Sequence, residues 1–191
     1  MTENENQKLP LNTQKATFGA GCFWCTEAIF QNLKGIQKVV SGYMGGNIKN
    51  PSYIEICNGD TGHAEVIQIE FDADEISFEE LLLVFFKTHN PTMLNRQGND
   101  MGTQYRSVIF YHNDQQRAEA EAMVLRLEEE GVFEKKIVTE ISPVTDFYEA
   151  EDYHQNYFNQ NSGKPYCAFV IQPKMNKLYQ EFKEKLKPEV L

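Results

Sequence analysis

The positions at which apolar residues recur along the chain predict strands and helices in irregular alternation. Lys15–Ala20 is short and apolar at its centre, which predicts a strand. Gly19 and Gly21 flank a turn, and Cys22–Leu33 predicts a helix with Phe23, Ile29, Phe30 and Leu33 largely on one face. Val39–Tyr43 predicts a second strand, stopped by Gly45-Gly46, and Asn47–Gly62 reads as a long loop rich in Asn, Gly and Pro. In His63–Phe71 the β-branched Val66, Ile67 and Ile69 are interspersed with Glu65, Gln68 and Glu70, which predicts a strand. Ser77 followed by Glu80 has the form of a capping box, opening a helix to about Thr88. Its Leu81–Phe86 stretch is apolar all round, so this helix is expected to be deeply buried.

Farther along, Asn90–Gly102 reads as a polar loop, Arg106–Tyr111 as a strand and Asp114–Glu130 as a helix ended by Gly131. Ile137–Ile141 predicts a strand, Tyr148–Gln160 a short helix, Tyr166–Ile171 a strand and Lys174–Lys185 a terminal helix. Hairpin-length gaps are scarce. The expected class is an α+β sandwich with helices on a mixed sheet, and a doubly wound α/β fold is the alternative. Residues 1–14 are polar and predict a loose tail ahead of one domain over 15–191.

Composition narrows the function. The 191 residues carry 18 basic against 28 acidic side chains, a net charge of −10, which disfavours nucleic-acid backbones and anionic lipid surfaces. No apolar run reaches the roughly 18 residues a membrane span needs. The polar N-terminus lacks the apolar core of a signal peptide, so the expected compartment is the cytoplasm. Four cysteines do not make a disulfide scaffold, and in a reducing compartment the Cys22-x-x-Cys25 pair points to catalysis or metal binding.

Gly21-Cys22-Phe23-Trp24-Cys25 falls at a strand-to-helix junction. A thiol in the first turn of a helix feels the positive end of the helix dipole and free backbone N–H groups, which favour the nucleophilic thiolate. The expectation is a Cys22 pKa below the ordinary thiol value, with Phe23 and Trp24 walling an apolar pocket beside it. In its strand, Glu65 shares a face with Ile67 and Ile69, whereas Glu70 faces the other way.

With these segments in view, the chain closely resembles the type A peptide methionine sulfoxide reductases. The resemblance is carried by GCFWC at 21–25, SGYMGG at 41–46, TGHAE at 61–65, GNDMGTQYRS at 98–107 and FYEAEDYHQNY at 147–157. It implies a ferredoxin-like α/β sandwich and thiol-dependent reduction of methionine-(S)-sulfoxide, free and in oxidised proteins, as a repair activity. No cofactor and no metal are implied. Cys22 would attack the sulfoxide sulfur and become a sulfenic acid, a second cysteine would close a disulfide, and thioredoxin would reduce it. Glu65 matches the family's catalytic carboxyl. A carboxyl in an apolar pocket keeps its proton to higher pH and can protonate the sulfoxide oxygen. Tyr53 and Tyr105 match the tyrosines that hydrogen-bond that oxygen, and Asp100 matches an aspartate assigned to positioning. Phe23 and Trp24 would hold the substrate's S-methyl group.

The resolving cysteine is ambiguous because two family patterns overlap. One places it three residues after the nucleophile, at Cys25, and the other in a C-terminal Tyr-Cys, at Cys167. Cys25 is preferred, one helical turn from Cys22. Three rival readings accompany this one: a four-thiolate zinc site, a thioredoxin-like dithiol oxidoreductase, and a non-catalytic module that recognises oxidised methionine. His63 and His154 are read as structural hydrogen-bonding residues.

Overall fold

The computed structural model describes residues 12–190. Most of the expected tail, residues 1–11, lies outside the described residues, but Thr13 and Gln14 already belong to the first strand. The chain runs β1 (Thr13–Ala20), α1 (Phe23–Phe30), β2 (Ile36–Met44), α2 (Tyr53–Asn58), β3 (Ala64–Asp72) and α3 (Phe78–Thr88). The short strands β4 (Arg96–Gln97) and β5 (Asp100–Met101) precede β6 (Ser107–Tyr111), α4 (Asp114–Glu129), β7 (Glu140–Pro143) and β8 (Tyr148–Glu149). Two helices close the chain, α5 (Tyr157–Gln160) and α6 (Gln172–Glu181).

Six strands form one sheet in the order β7-β6-β1-β3-β2-β8, and β4 pairs separately with β5. Every pairing in the large sheet is antiparallel except β6 with β7. The β1-α1-β2-β3-α3-β6 succession, with its strands ordered β6-β1-β3-β2, is the ferredoxin-like split βαβ arrangement. The mixed α+β sheet is therefore as expected, and antiparallel neighbours at its centre exclude the doubly wound alternative.

Alternation in β3 explains how the layers form. Ile67, Ile69 and Phe71 point into the larger core, which also holds α1, α3, α4 and α6. Ala64 and Val66 point to the opposite face, where a smaller cluster with Met44, Val108 and Phe110 is covered by Val144 and Phe147. Phe78, Leu81, Leu82, Val84, Phe85 and Phe86 of α3 are all buried, as their apolar run predicts.

Five stretches differ from the sequence reading, two of them slightly: β4 and β5 pair inside the expected loop 90–102, and the strand expected at 137–141 forms at Glu140–Pro143. Inside the expected loop 47–62, Ser52 and Glu55 form a capping box that starts α2. Tyr148–Gln160 is not one helix. Tyr148–Glu149 pairs with Gly42 and Tyr43, and the side-chain amide of Gln155 then continues the ladder by bonding both Ser41 N and Ser41 O at 2.9 Å. Tyr166–Ile171 is no strand. Cys167–Ile171 is a π-helical turn leading into α6, and Cys167, Ile171, Met175 and Leu178 are buried at helical spacing. Pro173 lacks the N–H an α-helix needs there, and a wider turn just ahead of it accommodates that loss.

Candidate active site

Cys22 is the N-cap of α1, where the chain turns out of β1 through Gly21 at φ +92°. A Cβ at Gly21 would lie 2.6 Å from the side chain of Gln97, so only glycine fits this turn. Cys22 has no side-chain cap bond of its own. The free N–H of Phe23 instead donates to Glu65 Oε2 at 3.0 Å, a partner 42 residues away on β3. Glu65 sits opposite Tyr43 across the β2–β3 ladder and is 2% exposed. Burial pushes its pKa up to about 8, against the lowering effect of the Phe23 bond, with Asp100 and Cys25 adding repulsion. At neutral pH this carboxyl is mostly protonated.

The two thiols sit together, buried, at the same helix end. Burial pushes the Cys22 thiol well up, reinforced by its neighbours Cys25 and Glu65. The expected lowering at Cys22 is therefore corrected, since burial outweighs its place at the helix end, where the N–H of Phe23 goes to Glu65. Cys25 is instead drawn down to about 7, chiefly by a hydrogen bond from Cys22 and against its own burial.

Other expected residues converge on this point from separate elements. Tyr53 opens α2 rather than lying in a loop, and Tyr105 ends the turn Thr103–Tyr105 just before β6. Both phenols interact with Glu65 and with each other, and burial pushes both pKa values up, so they remain O–H donors. Asp100, on β5, lies within electrostatic reach of Glu65 and Cys25. The Phe23 ring stands 5.7 Å from Tyr43 and 5.1 Å from His154, and the Trp24 indole stacks on Tyr157 at 3.7 Å. Cys167 is buried, feels the charge of Cys25, and has its thiol raised by desolvation. Cys57 is exposed on α2. Among the described residues, no three His, Cys, Asp or Glu gather as metal ligands, so the four cysteines do not assemble as the zinc rival requires.

Sequence reasoning passed over three residues that shape this cluster. Glu151 accepts from Tyr43 Oη at 3.2 Å, Tyr53 N at 3.3 Å and Tyr153 Oη at 3.1 Å, tying the aromatic walls to one carboxylate. Glu27 is buried on α1, and its carboxylate receives Asn156 N at 2.8 Å and Tyr157 N at 3.3 Å, which places the ring under Trp24. Tyr166 donates to Asp100 Oδ2 at 2.8 Å and lies 3.8 Å from Cys25 Sγ. Glu151 stood within a quoted motif and Tyr166 beside Cys167, yet only the folded chain shows what they touch.

The two histidines hold structural bonds. His63 accepts from Gly46 N at 3.0 Å and donates to Ile48 O at 2.7 Å. His154 Nδ1 accepts from Trp24 Nε1 at 3.0 Å, which leaves its proton on Nε2.

Comparison with known proteins decides the family, because the model of the peptide methionine sulfoxide reductase family matches residues 14–186. The chain belongs to that family. It is 52% identical over 176 residues to the peptide methionine sulfoxide reductase MsrA of Acinetobacter baumannii strain SDF, covering 92% of this chain and 99% of that protein. Among solved structures it resembles Mxr1 of Saccharomyces cerevisiae in reduced form, with a TM-score of 0.75, 34% identity, and coverage of 83% of this chain and 91% of that one. Methionine sulfoxide reductase A of Corynebacterium diphtheriae is similar at a TM-score of 0.71 and 34% identity, covering 80% of this chain and 77% of that one. Among the described residues, no helix is long and apolar enough to cross a membrane.

Proposed function

We propose that this chain is a peptide-methionine (S)-S-oxide reductase that repairs oxidised proteins and also takes free methionine sulfoxide. The observation that carries the reading is a buried carboxyl, Glu65, bonded to the backbone N–H next to the nucleophile Cys22. A sulfoxide oxygen leaves only when protonated, and a carboxyl with a pKa of about 8 holds a proton for it at neutral pH. Cys22 Sγ bonds to the sulfoxide sulfur as Glu65 protonates the oxygen, assisted by hydrogen bonds from Tyr53 and Tyr105. The hydroxyl then passes from the substrate sulfur to Cys22 Sγ as the S–S bond breaks with its electrons on the substrate sulfur, so methionine leaves, Cys22 is left a sulfenic acid, and Glu65 recovers a proton from the one Cys22 has shed. Phe23 and Trp24 accept the S-methyl group. The epimer with methyl and oxygen exchanged would place its oxygen against the aromatic wall, away from the donors.

Cys25 is the resolving residue in this reading. It is paired with Cys22 at the same helix end, one helical turn from the sulfur that becomes the sulfenic acid. Cys167 is held by a buried helical face and has a raised pKa, which suits it less. Thioredoxin is the reductant, and the compartment is the cytoplasm, where a C-x-x-C pair is kept reduced between turnovers.

The test is turnover of the two separated epimers of N-blocked methionine sulfoxide with dithiothreitol, for the native chain and Cys22→Ser. Reduction of the S epimer alone, abolished in Cys22→Ser, is the expected result. Reduction of neither epimer by the native chain would overturn the reading.

A further inference from the structure

The hydroxyl of Tyr166 is where two parts of the site meet. It reaches Cys25 from 141 residues away, carried in on the segment that opens the π-turn Cys167–Ile171. Cys167 and Ile171 are buried in the main core, and the Tyr166 ring stands edge-on to Trp24 at 5.7 Å and 80°. The residue is therefore held on two sides, with its oxygen facing Asp100 and the cysteines.

The direction of its bonds follows from the chemistry. A phenol has one proton, and here it goes to Asp100 Oδ2 at 2.8 Å. Its lone pairs are then left to accept, and once Cys22 is a sulfenic acid, with no S–H left to stabilise a Cys25 thiolate, Cys25 Sγ lies 3.8 Å away with a thiol proton to offer. The result is a chain from Cys25 S–H to Tyr166 O–H to the Asp100 carboxylate. A proton can travel along it by two short shifts, without the phenol ever carrying a net charge.

A proton must leave Cys25 for the resolving step to finish. The Cys22 sulfenic acid and the Cys25 thiol together become a disulfide and water. Cys25 is 2% exposed, so bulk water is poorly placed to take its proton. Resting on the reading of Cys25 as the resolving cysteine, we propose that Tyr166 is a further catalytic residue, relaying the Cys25 proton to Asp100 as the disulfide forms. A lone pair of Cys25 Sγ makes the S–S bond. The S–O bond of the sulfenic acid breaks with its electrons on oxygen, which takes the Glu65 proton and leaves as water. Three protons are counted before the step, on the sulfenic acid, the thiol and Glu65. Three are counted after it, two in water and one on Asp100.

Tyr166→Phe tests this, because it keeps the ring and its contact with Trp24 while removing the hydroxyl. A single turnover without reductant reads two steps separately: methionine release, and closure of the disulfide, followed by loss of free thiols and by dimedone trapping of the sulfenic acid. The variant is expected to release one methionine per chain and then accumulate sulfenic acid, closing at least about tenfold more slowly than the native chain. Its closure rate should rise with pH as solvent supplies the Cys25 thiolate, whereas native closure changes little between about pH 6 and 8. Closure at the native rate with the native pH profile would overturn the relay. So would equal slowing of methionine release and closure at every pH, the mark of a purely structural role. Cys25→Ser, run in parallel, separates the relay from the reading beneath it. If that variant stops at the sulfenic acid, Cys25 is the resolving cysteine and the Tyr166→Phe result judges the relay alone. If it closes a disulfide at the native rate, the assignment of Cys25 falls and the relay falls with it.

Discussion

Glu65 and Glu80 each receive a backbone N–H at a helix N-terminus, and the surroundings send their pKa values in opposite directions. Glu80 belongs to a local capping box: Ser77 N donates to its carboxylate at 2.9 Å, and Ser77 Oγ accepts from Glu80 N at 3.1 Å. It lies near the surface, and Lys185, then Ser77, hold its pKa below the ordinary carboxylate value. Glu65 takes the same kind of bond from Phe23 N, but from another element and inside the core. Burial outweighs that bond and raises its pKa to about 8. A helix end favours negative charge, yet desolvation is the larger effect when no cation is near. One N-terminus is stabilised by its own sequence. The other leaves its N-cap to a thiol and holds a proton ready for chemistry.

The contrast is sharpest in turnover. Glu65→Gln should lower single-turnover methionine release by about 10²- to 10⁴-fold, the usual worth of a general acid, while Glu80→Gln should leave it within about twofold. Rapid-quench assays of both variants on the S epimer check this.

Stability should depend on pH with opposite sign at the two residues. The folded pKa of Glu65 is raised, so its contribution is fully present below the unfolded value near 4.5 and is lost as pH rises through about 8. That loss amounts to roughly 3–5 kcal/mol, and Glu65→Gln should abolish it. The folded pKa of Glu80 is depressed, so its contribution is present above the unfolded value and is lost as pH falls through the folded one. Denaturant unfolding at a series of pH values, on both Gln variants, separates the two slopes.

Ser77→Ala should have a smaller effect, costing about 1 kcal/mol in denaturant unfolding with little change in turnover. Ser52→Ala acts on the six-residue helix that carries Tyr53. It should cost less than Ser77→Ala in stability and show mainly as a higher KM, by about two- to fivefold, because a frayed first turn misplaces Tyr53.

What could be read from the chain follows the same division between local and distant bonds. Ser77-x-x-Glu80 ahead of an unbroken apolar run is a local signal, and α3 forms where it says. Ser52-x-x-Glu55 carries the same signal, but the Asn, Gly and Pro around it and the absence of an apolar run after it give the segment the composition of a loop. The apolar Tyr166–Ile171 resembled a strand only in a short window. Over a longer one, Cys167, Ile171, Met175 and Leu178 recur at helical spacing, and the buried face of the closing segment was there to be seen. At the site, Cys22 and Glu65 were legible as candidates because a turn motif and a strand face mark them. The raised thiol pKa was not legible, because it comes chiefly from burial in the folded core and from Cys25 beside it, with the charge of Glu65 a smaller cause. Tyr166 could not be assigned from spacing, since its partners Asp100 and Cys25 lie 66 and 141 residues away.

The most direct test of this account is an infrared titration of the Glu65 carboxyl, taken as the difference between the native chain and Glu65→Gln across the pH range. A protonated-carboxyl band that persists at neutral pH and disappears as pH passes about 8 is the predicted result. A Glu65 carboxyl already ionised by pH 5 would contradict it, and would remove the proton on which the reaction depends.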